Sequence, residues 1–122
     1  MDELLEKGIK HFNYGYFFEA HDIFEEIWMD ERGKGKQFYQ GLVQLSTGFY
    51  HLSMGNLKGA GSQLNKGKNK LLNFQPNFCN IEISQLLEQV ENCIYEIKSK
   101  QTEQFSFAKF KTKIPQLRKV KK

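Results

Sequence analysis

Apolar residues recur at helical rather than strand spacing along most of this chain. Neither sustained apolar–polar alternation nor an Asn-Gly or Asp-Gly hairpin turn occurs in the sequence. The clearest helical pattern lies in residues 81–100, where apolar residues follow one another at intervals of one, three or four: Ile83, Leu86, Leu87, Val90, Ile94 and Ile97. The pattern therefore predicts an all-α fold.

The same periodicity predicts a compact bundle of about five helices. Glycines that follow the apolar runs mark natural helix ends. The helices are expected over residues 4–15, 16–30, 37–54, 57–73 and 81–100, with a loop at 73–80 around Pro76. Residues 101–122 are basic and are predicted to form an extended or partly helical C-terminal strap. Its apolar residues are expected to pack on the bundle: Phe105, Phe107, Phe110 and Ile114.

Residues 37–57 contain no Asp, Glu, Lys or Arg over 21 positions. Apolar side chains form two strips on the helix predicted here, so we expect it to lie in the middle of the core. A stripe of uncharged polar residues runs along the same helix: Gln40, Gln44, Thr47 and His51. Buried polar groups need hydrogen-bond partners, so this stripe must find them inside the fold.

Part of the sequence repeats at a spacing of 40 residues. The first copy has Gly8, His11, Gly15 and Ala20, and these recur as Gly48, His51, Gly55 and Ala60. Each copy corresponds to a helix, a glycine turn and a second helix. The repeat predicts that the bundle is built on two antiparallel helical hairpins, because two copies are too few for a solenoid.

Length and composition predict one domain spanning residues 1–122. Cys79 and Cys93 have neither the number nor the spacing of a disulfide framework or a zinc site, which favours a reducing compartment. Acidic residues interrupt the first ten positions, so they do not form a signal peptide, and we expect a cytoplasmic protein. Residues 37–57 contain too many polar side chains for a membrane span.

The net charge of +4 is unevenly distributed along the chain. Residues 1–31 carry nine acids and two bases (−7), and residues 32–75 carry seven bases and no acid (+7). Residues 76–100 sum to −2 and residues 101–122 to +6. The favoured interpretation is that these segments neutralise one another or face water. A basic surface for nucleic acid is the minority interpretation.

Three candidate site residues share one side of the second helix. At 100° per residue, His21, Glu25 and Trp28 span about 60° of azimuth. If the second and third helices pack antiparallel, this group can meet the polar stripe of the third helix. Glu25 is then expected to accept hydrogen bonds from Gln44 or His51, and His21 to donate to a Gln carbonyl.

Three interpretations of this group remain open. The first, which carries most weight, is a satisfied polar network that fixes how the two helices pack. The second is a ligand or divalent-metal site, with His21, Glu25 and His51 as metal ligands. The third is catalysis, with His21 as a general base tuned by Glu25. No nucleophile motif or glycine-rich phosphate loop supports a named reaction.

Several blocks of this sequence, in order and in spacing, resemble the DUF309 family of small bacterial and archaeal helical proteins. The blocks are residues 15–28 with a His-x-x-x-Glu-x-x-Trp motif, residues 40–44, His51, residues 55–56 and residues 59–60. The resemblance covers residues 8–72; the C-terminal helix and basic tail, residues 81–122, lie outside it. It implies an all-helical fold but no function, and it marks as motif positions His21, Glu25, Trp28, Gln40, Gly41, Gln44 and His51.

The sequence thus favours a cytoplasmic module that binds a protein partner or a small ligand. The pocket is expected between the second and third helices, at His21, Glu25, Trp28, Gln40, Gln44 and His51. A metal- or small-molecule-dependent enzyme using His21 and Glu25 is the alternative. Weak nucleic-acid binding through the basic middle and tail ranks last, and homo-oligomerisation stays open because no heptad seam specifies it.

Overall fold

The computed structural model describes residues 3–99 and 114–121, and within these ranges it contains five α-helices. In chain order they are α1 (Glu3–Asn13), α2 (Phe17–Asp30), α3 (Gly35–Ser53), α4 (Leu57–Leu71) and α5 (Ile83–Ser99). A 3₁₀ turn (Leu72–Phe74) and two short strands, β1 (Asn77–Phe78) and β2 (Ile81–Glu82), connect α4 to α5. The predicted all-α bundle is confirmed.

Helix α3 packs against both α2 and α4. It can be covered on two sides because residues 37–53 contain no charged side chain. Its apolar seams are buried against both neighbours, as the sequence predicted: Phe38, Tyr39, Leu42, Leu45, Phe49 and Leu52. Ser46, also fully buried, donates its hydroxyl to the Leu42 carbonyl at 2.9 Å. The hydroxyl of this buried residue is therefore satisfied within its own helix.

The 40-residue repeat corresponds to two helical hairpins, α1–α2 and α3–α4. Gly15 (φ +88°) and Gly55 (φ +79°) end the first helix of each hairpin in the left-handed region. In both, the residue after the glycine donates its backbone N–H back to the carbonyl of His11 or His51, at 2.9 Å. This pair of Schellman turns gives the two hairpins the same geometry at their connections.

A second pair of glycines sets the helix spacing inside the two hairpins. A Cβ on Gly8 would lie 2.6 Å from the Phe24 ring, and one on Gly48 would lie 2.7 Å from Leu64. Phe24 and Leu64 are themselves 40 residues apart. The repeat therefore corresponds to a close approach of the two helices in each hairpin, α1 to α2 and α3 to α4.

Helix α5 packs on α4 through the apolar face that its spacing predicted. Ile83, Leu86, Val90, Ile94 and Ile97 are all buried. Lys68 of α4 donates to Glu91 of α5 at 2.7 Å. Among the helices of residues 3–99, none is long and apolar enough to cross a membrane.

The predicted loop at 73–80 is partly wrong, because it contains half of a short antiparallel hairpin. Phe78 pairs with Ile81 and Asn77 with Glu82. Cys79 (φ +51°) and Asn80 (φ +63°) form the turn, the backbone that a two-residue hairpin requires. Asn tolerates this region, but a Cys-Asn pair is not the usual Asn-Gly signature, which is why the pattern does not reveal it.

Residues 114–121 form an extended strap that joins the hairpin to α1. Lys119 pairs with Ile81 in an antiparallel bridge, and the Val120 N–H donates to the Asn80 carbonyl at 3.0 Å. Leu117 is 2% exposed, and its backbone is held by the Asn13 side chain at the end of α1. The strap prediction is confirmed for this part; its remainder, residues 101–113, lies outside the described residues.

Candidate functional site

Helices α2 and α3 pack antiparallel, as the site prediction required. At one end, the rings of Phe18 and Tyr50 lie 5.5 Å apart between centroids. At the other end, the Lys36 ammonium sits 4.6 Å from the centre of the Trp28 ring and donates to the Trp28 carbonyl at 2.9 Å. The two contacts fix opposite ends of one helix–helix interface.

A surface pocket of about 200 Å³ lies at the Phe18 end of this interface. Its lining comes from both helices: Phe18 and His21 of α2, and Thr47, Tyr50 and His51 of α3. On each helix the lining residues are three or four positions apart, so they share one face. Two turns of α2 and two turns of α3 are therefore enough to build the whole lining.

Four rings form a continuous series around the pocket. Phe18 lies 6.2 Å from His21 and 5.5 Å from Tyr50, and Tyr50 lies 6.3 Å from His51. Neighbouring ring planes are tilted by 38°, 57° and 48° respectively. Tilted rings turn both edges and faces into the space between them, and the face of an aromatic ring is electronegative.

His21 links this pocket to two carboxylates of its own helix. Its Nε2 lies 3.1 Å from a Glu25 oxygen, and its Nδ1 lies 3.1 Å from an Asp22 oxygen. The Nδ1–Asp22 contact is a hydrogen bond, whereas the Nε2–Glu25 contact is an ion pair when the imidazole is protonated. In either state, His21, Asp22 and Glu25 together carry net negative charge.

Thr47 supplies one of the two hydroxyls among the lining residues, and Tyr50 supplies the other. The Thr47 Oγ1 donates to the Val43 carbonyl of the preceding turn at 2.9 Å. The hydroxyl proton is therefore used within α3, and the oxygen retains lone pairs as an acceptor. Together with the π-faces and the carboxylates behind His21, this makes the pocket richer in electron density than in hydrogen-bond donors.

The predicted hydrogen bonds between the polar stripes form differently from the expectation. Glu25 pairs with His21 of its own helix rather than with Gln44 or His51. Gln44 accepts from Lys70 of α4 at 3.4 Å, so this part of the stripe turns towards α4. Helix α3 contacts both α2 and α4, and helical azimuth alone does not say which neighbour a side chain meets.

The predicted site residues are therefore divided by the structure. His21 and His51 line the pocket and Glu25 lies at its edge through His21. Gln40, Gln44 and Trp28 lie outside the lining. Gln40 is half-buried on α3, and Trp28 is half-buried beneath Lys36.

The proposed metal ligands His21, Glu25 and His51 do not converge. Across residues 3–99 and 114–121, no three His, Cys, Asp or Glu side chains are arranged so that they could hold a metal ion. His21 and Glu25 lie 3.1 Å apart within their own helix, and His51 is not part of this pair. These described residues do not supply the ligand set that a bound cation such as zinc requires.

Several lysines of the basic segments have partners within the fold. Lys68 pairs with Glu91, Lys119 with Glu6, Lys70 with Gln44, and Lys36 with the Trp28 ring. Each partner belongs to a different element from its lysine. The Lys68–Glu91 and Lys119–Glu6 ion pairs fit the interpretation that oppositely charged segments neutralise one another.

Three lining residues, Phe18, Thr47 and Tyr50, were not among the predicted site residues. A usable signal existed, because Phe18 lies three positions before His21 and Tyr50 three positions after Thr47. Phe18 is nevertheless 50% exposed, which an apolar residue next to a helical core stripe does not reveal. The sequence therefore predicted which helices form the site more accurately than which residues line it.

Comparison with known proteins gives a match over the segment that contains the pocket. A relative in Aquifex aeolicus (strain VF5), described only as an uncharacterized protein, is 25% identical over 93 residues, which is 75% of this chain. The chain spans 28% of that relative's length. Residues 5–62 match the model of a domain of unknown function, DUF309. This segment, which includes all five lining residues of the pocket, is thus similar to the DUF309 domain.

Proposed function

We propose that this protein is a non-enzymatic binding module and that the pocket between α2 and α3 receives a small ligand or a side chain of a partner protein. The observation that carries the proposal is the ring-lined pocket itself, open to solvent and about 200 Å³ in volume. Concave sites with mostly apolar lining and a few polar groups are the usual form of ligand sites. A cytoplasmic location belongs to the same proposal, since Cys79 and Cys93 are free thiols.

Exposure of the polar group favours binding over a purely structural network. Side chains that only fix helix packing are expected to be buried and satisfied. The Glu25 side chain is 44% exposed and that of His21 is 28% exposed. Phe18, half exposed beside them, contributes an apolar surface that folding has not removed from water.

Catalysis by His21 and Glu25 has less support than binding. A general base needs a ring nitrogen within reach of the substrate proton. Both nitrogens of His21 instead lie 3.1 Å from carboxylate oxygens of its own helix. Substrate would have to break one of these contacts, so a role for His21 in shaping the charge of the pocket fits the geometry better.

Fragment binding followed by NMR tests this proposal. The ¹⁵N-labelled full-length protein is titrated with a panel of small neutral, anionic and cationic aromatic and aliphatic fragments. We expect the backbone shifts of at least one fragment class to centre on the two lining helices, at Phe18, His21, Thr47, Tyr50 and His51.

Two variants control for the position of the site. Phe18→Ala removes a ring from the pocket, whereas Tyr95→Ala removes a ring that is 75% exposed on α5. Phe18→Ala is expected to lower fragment affinity at least about fivefold, the value of one good aromatic contact, and Tyr95→Ala to leave it unchanged. If no fragment shifts the lining resonances, or if both variants behave alike, this pocket is not a binding site.

A further inference from the structure

We infer that the head group bound in the α2–α3 pocket is an alkylated ammonium. This inference rests on the proposed function and names the chemistry of its ligand. The pocket offers ring faces, a hydroxyl acceptor and nearby carboxylates, and a methylated cation is complementary to all three. The rings of Phe18 and Tyr50 are assigned as the principal contacts, with His51 and His21 completing the wall.

Charge around the pocket favours a cation. Helix α2 contains five acids and no Lys or Arg: Glu19, Asp22, Glu25, Glu26 and Asp30. Two of them, Asp22 and Glu25, contact the His21 ring that lines the pocket. Because this trio remains net negative whether or not the imidazole is protonated, its attraction for a cation does not depend on one protonation state.

The hydrogen-bonding state of the lining disfavours an anion. An anion would need donors, but the Thr47 hydroxyl already donates to the Val43 carbonyl. The His21 nitrogens already face Asp22 and Glu25, and those carboxylates would repel a bound anion. His21, which first suggests an anion or metal site, is therefore flanked by two carboxylates that favour a cation.

The opposite end of the same interface already contains a cation held by an aromatic ring. Lys36 places its ammonium 4.6 Å from the centre of the Trp28 ring, within the range of a cation–π contact. Within the part of the chain that the structure describes, this is the one cation–π pair. The Phe18 and Tyr50 rings, 5.5 Å apart at the other end, can present their faces to a bound cation in the same way.

Alkylation follows from the predominance of rings in the lining of the pocket. A primary ammonium has three N–H donors that lose water on binding, and each needs an acceptor. Four of the five lining side chains are rings, so most of the wall meets a ligand through ring carbons rather than through acceptors. Methyl groups need none, and they contact ring faces directly, which is how aromatic cages recognise quaternary ammonium groups.

The experiment compares choline with 3,3-dimethylbutan-1-ol, its uncharged analogue, in which carbon replaces nitrogen. Both are titrated into the ¹⁵N-labelled full-length protein and into Phe18→Ala and Tyr95→Ala. We expect choline to bind wild type and Tyr95→Ala about 5- to 30-fold more tightly than the alcohol, the range of one desolvated cation–π contact. In Phe18→Ala this preference is expected to fall to less than half.

The outcomes separate this inference from the proposed function. If both compounds bind the lining residues equally and Phe18→Ala weakens both, the pocket binds ligands but does not select cations, and only the inference fails. If neither compound shifts the lining resonances while other fragments do, the inference again fails alone. If choline binds but Phe18→Ala and Tyr95→Ala bind it equally well, the cation sits on the acidic surface, and the inference is wrong.

The same head group can belong to a free amine or to a methylated lysine of a partner protein. A second pair of titrations uses a short peptide with one trimethyl-lysine and the same peptide with unmodified lysine. Tighter binding of the trimethyl-lysine peptide than of choline assigns the site to a partner side chain. Binding of choline at least as tight as that peptide assigns it to a free amine, and a preference for unmodified lysine overturns the inference.

Discussion

Glycines in α4 have two different surroundings, and single residues here decide how closely helices approach. A Cβ on Gly67 would lie 2.9 Å from the backbone carbonyl oxygen of Gly41 in α3 and 2.9 Å from Leu45. A Cβ on Gly61 would meet nothing within 4 Å. Glycine at residue 67 therefore allows α3 and α4 to touch through their backbones, whereas at residue 61 it only lowers helix propensity.

Alanine is expected to have opposite effects at these two positions. Gly67→Ala should lower the free energy of unfolding by about 1–3 kcal/mol, because backbone cannot move aside as a side chain can. Gly61→Ala should raise it by up to about 1 kcal/mol, the difference in helix propensity. Urea denaturation followed by circular dichroism measures both. Equal effects of the two variants would mean that α3 and α4 do not make this backbone contact.

The sequence predicted burial well where the lack of charge and the apolar spacing agreed. It predicted side-chain partners less well on α3, because this helix has a neighbour on each side. Phe38, Leu42 and Phe49 are fully buried, as their common seam implied. Gln44 met Lys70 of α4 instead of Glu25 of α2 because α3 is packed on both sides. A helical wheel gives the direction of a side chain but not the element that the side chain contacts.

At the scale of elements, all five helices could be predicted because each carries an apolar face and an end signal. The short β-hairpin could not. Its turn places Cys79 and Asn80 at positive φ, and these residues are held there by contacts distant in sequence. The Phe78 ring lies 4.8 Å from that of Phe38 in α3, and Lys119 of the strap pairs with Ile81. Tertiary packing, rather than turn propensity, specifies this element.

The strap depends on one asparagine at the end of α1. Asn13 donates its side-chain amide to the Leu117 carbonyl at 3.0 Å and accepts the Leu117 N–H at 2.7 Å. Gln116 in turn donates to the Asn13 carbonyl at 3.2 Å. The Asn13 side chain thus replaces the hydrogen bonds of a neighbouring strand, because it satisfies both the N–H and the carbonyl of Leu117.

Asn13→Ala is expected to loosen the strap without unfolding the helices. Two backbone groups lose their partners, which should lower the free energy of unfolding by about 1–3 kcal/mol. Hydrogen exchange provides the local test, since the Leu117 amide should lose protection while amides of α3 keep theirs. Asn69→Ala, at an exposed position on α4, is the control. Unchanged protection of Leu117 would show that Asn13 does not hold the strap.

Across the whole molecule, a chain of alternating acidic and basic segments folds so that several of its charges meet. Lys68 of α4 reaches Glu91 of α5, and Lys119 of the strap reaches Glu6 of α1. Acids of α2 are distributed differently, since Asp22 and Glu25 border the pocket through His21. The pocket therefore borders two carboxylates in a protein whose net charge is +4.

The geometry of α2 and α3 explains how much of this site the sequence predicted. His21, Glu25 and His51 could be placed near one another because α2 and α3 each have one polar stripe and a short connection. The pocket itself lies where Phe18 of α2 and Tyr50 of α3 meet at 5.5 Å between ring centroids. That contact depends on how α3 packs against both α2 and α4, which no single segment encodes.

The most direct test of the account is an intermolecular nuclear Overhauser measurement on the full-length protein with tetramethylammonium, whose methyl protons give one sharp signal. The account predicts transfer from these protons to the ring protons of both Phe18 and Tyr50, because a cation within this pocket must touch both faces. Transfer to Tyr95 or Tyr14 instead, or to no aromatic ring at all, would contradict the assignment of the pocket between α2 and α3 as the binding site.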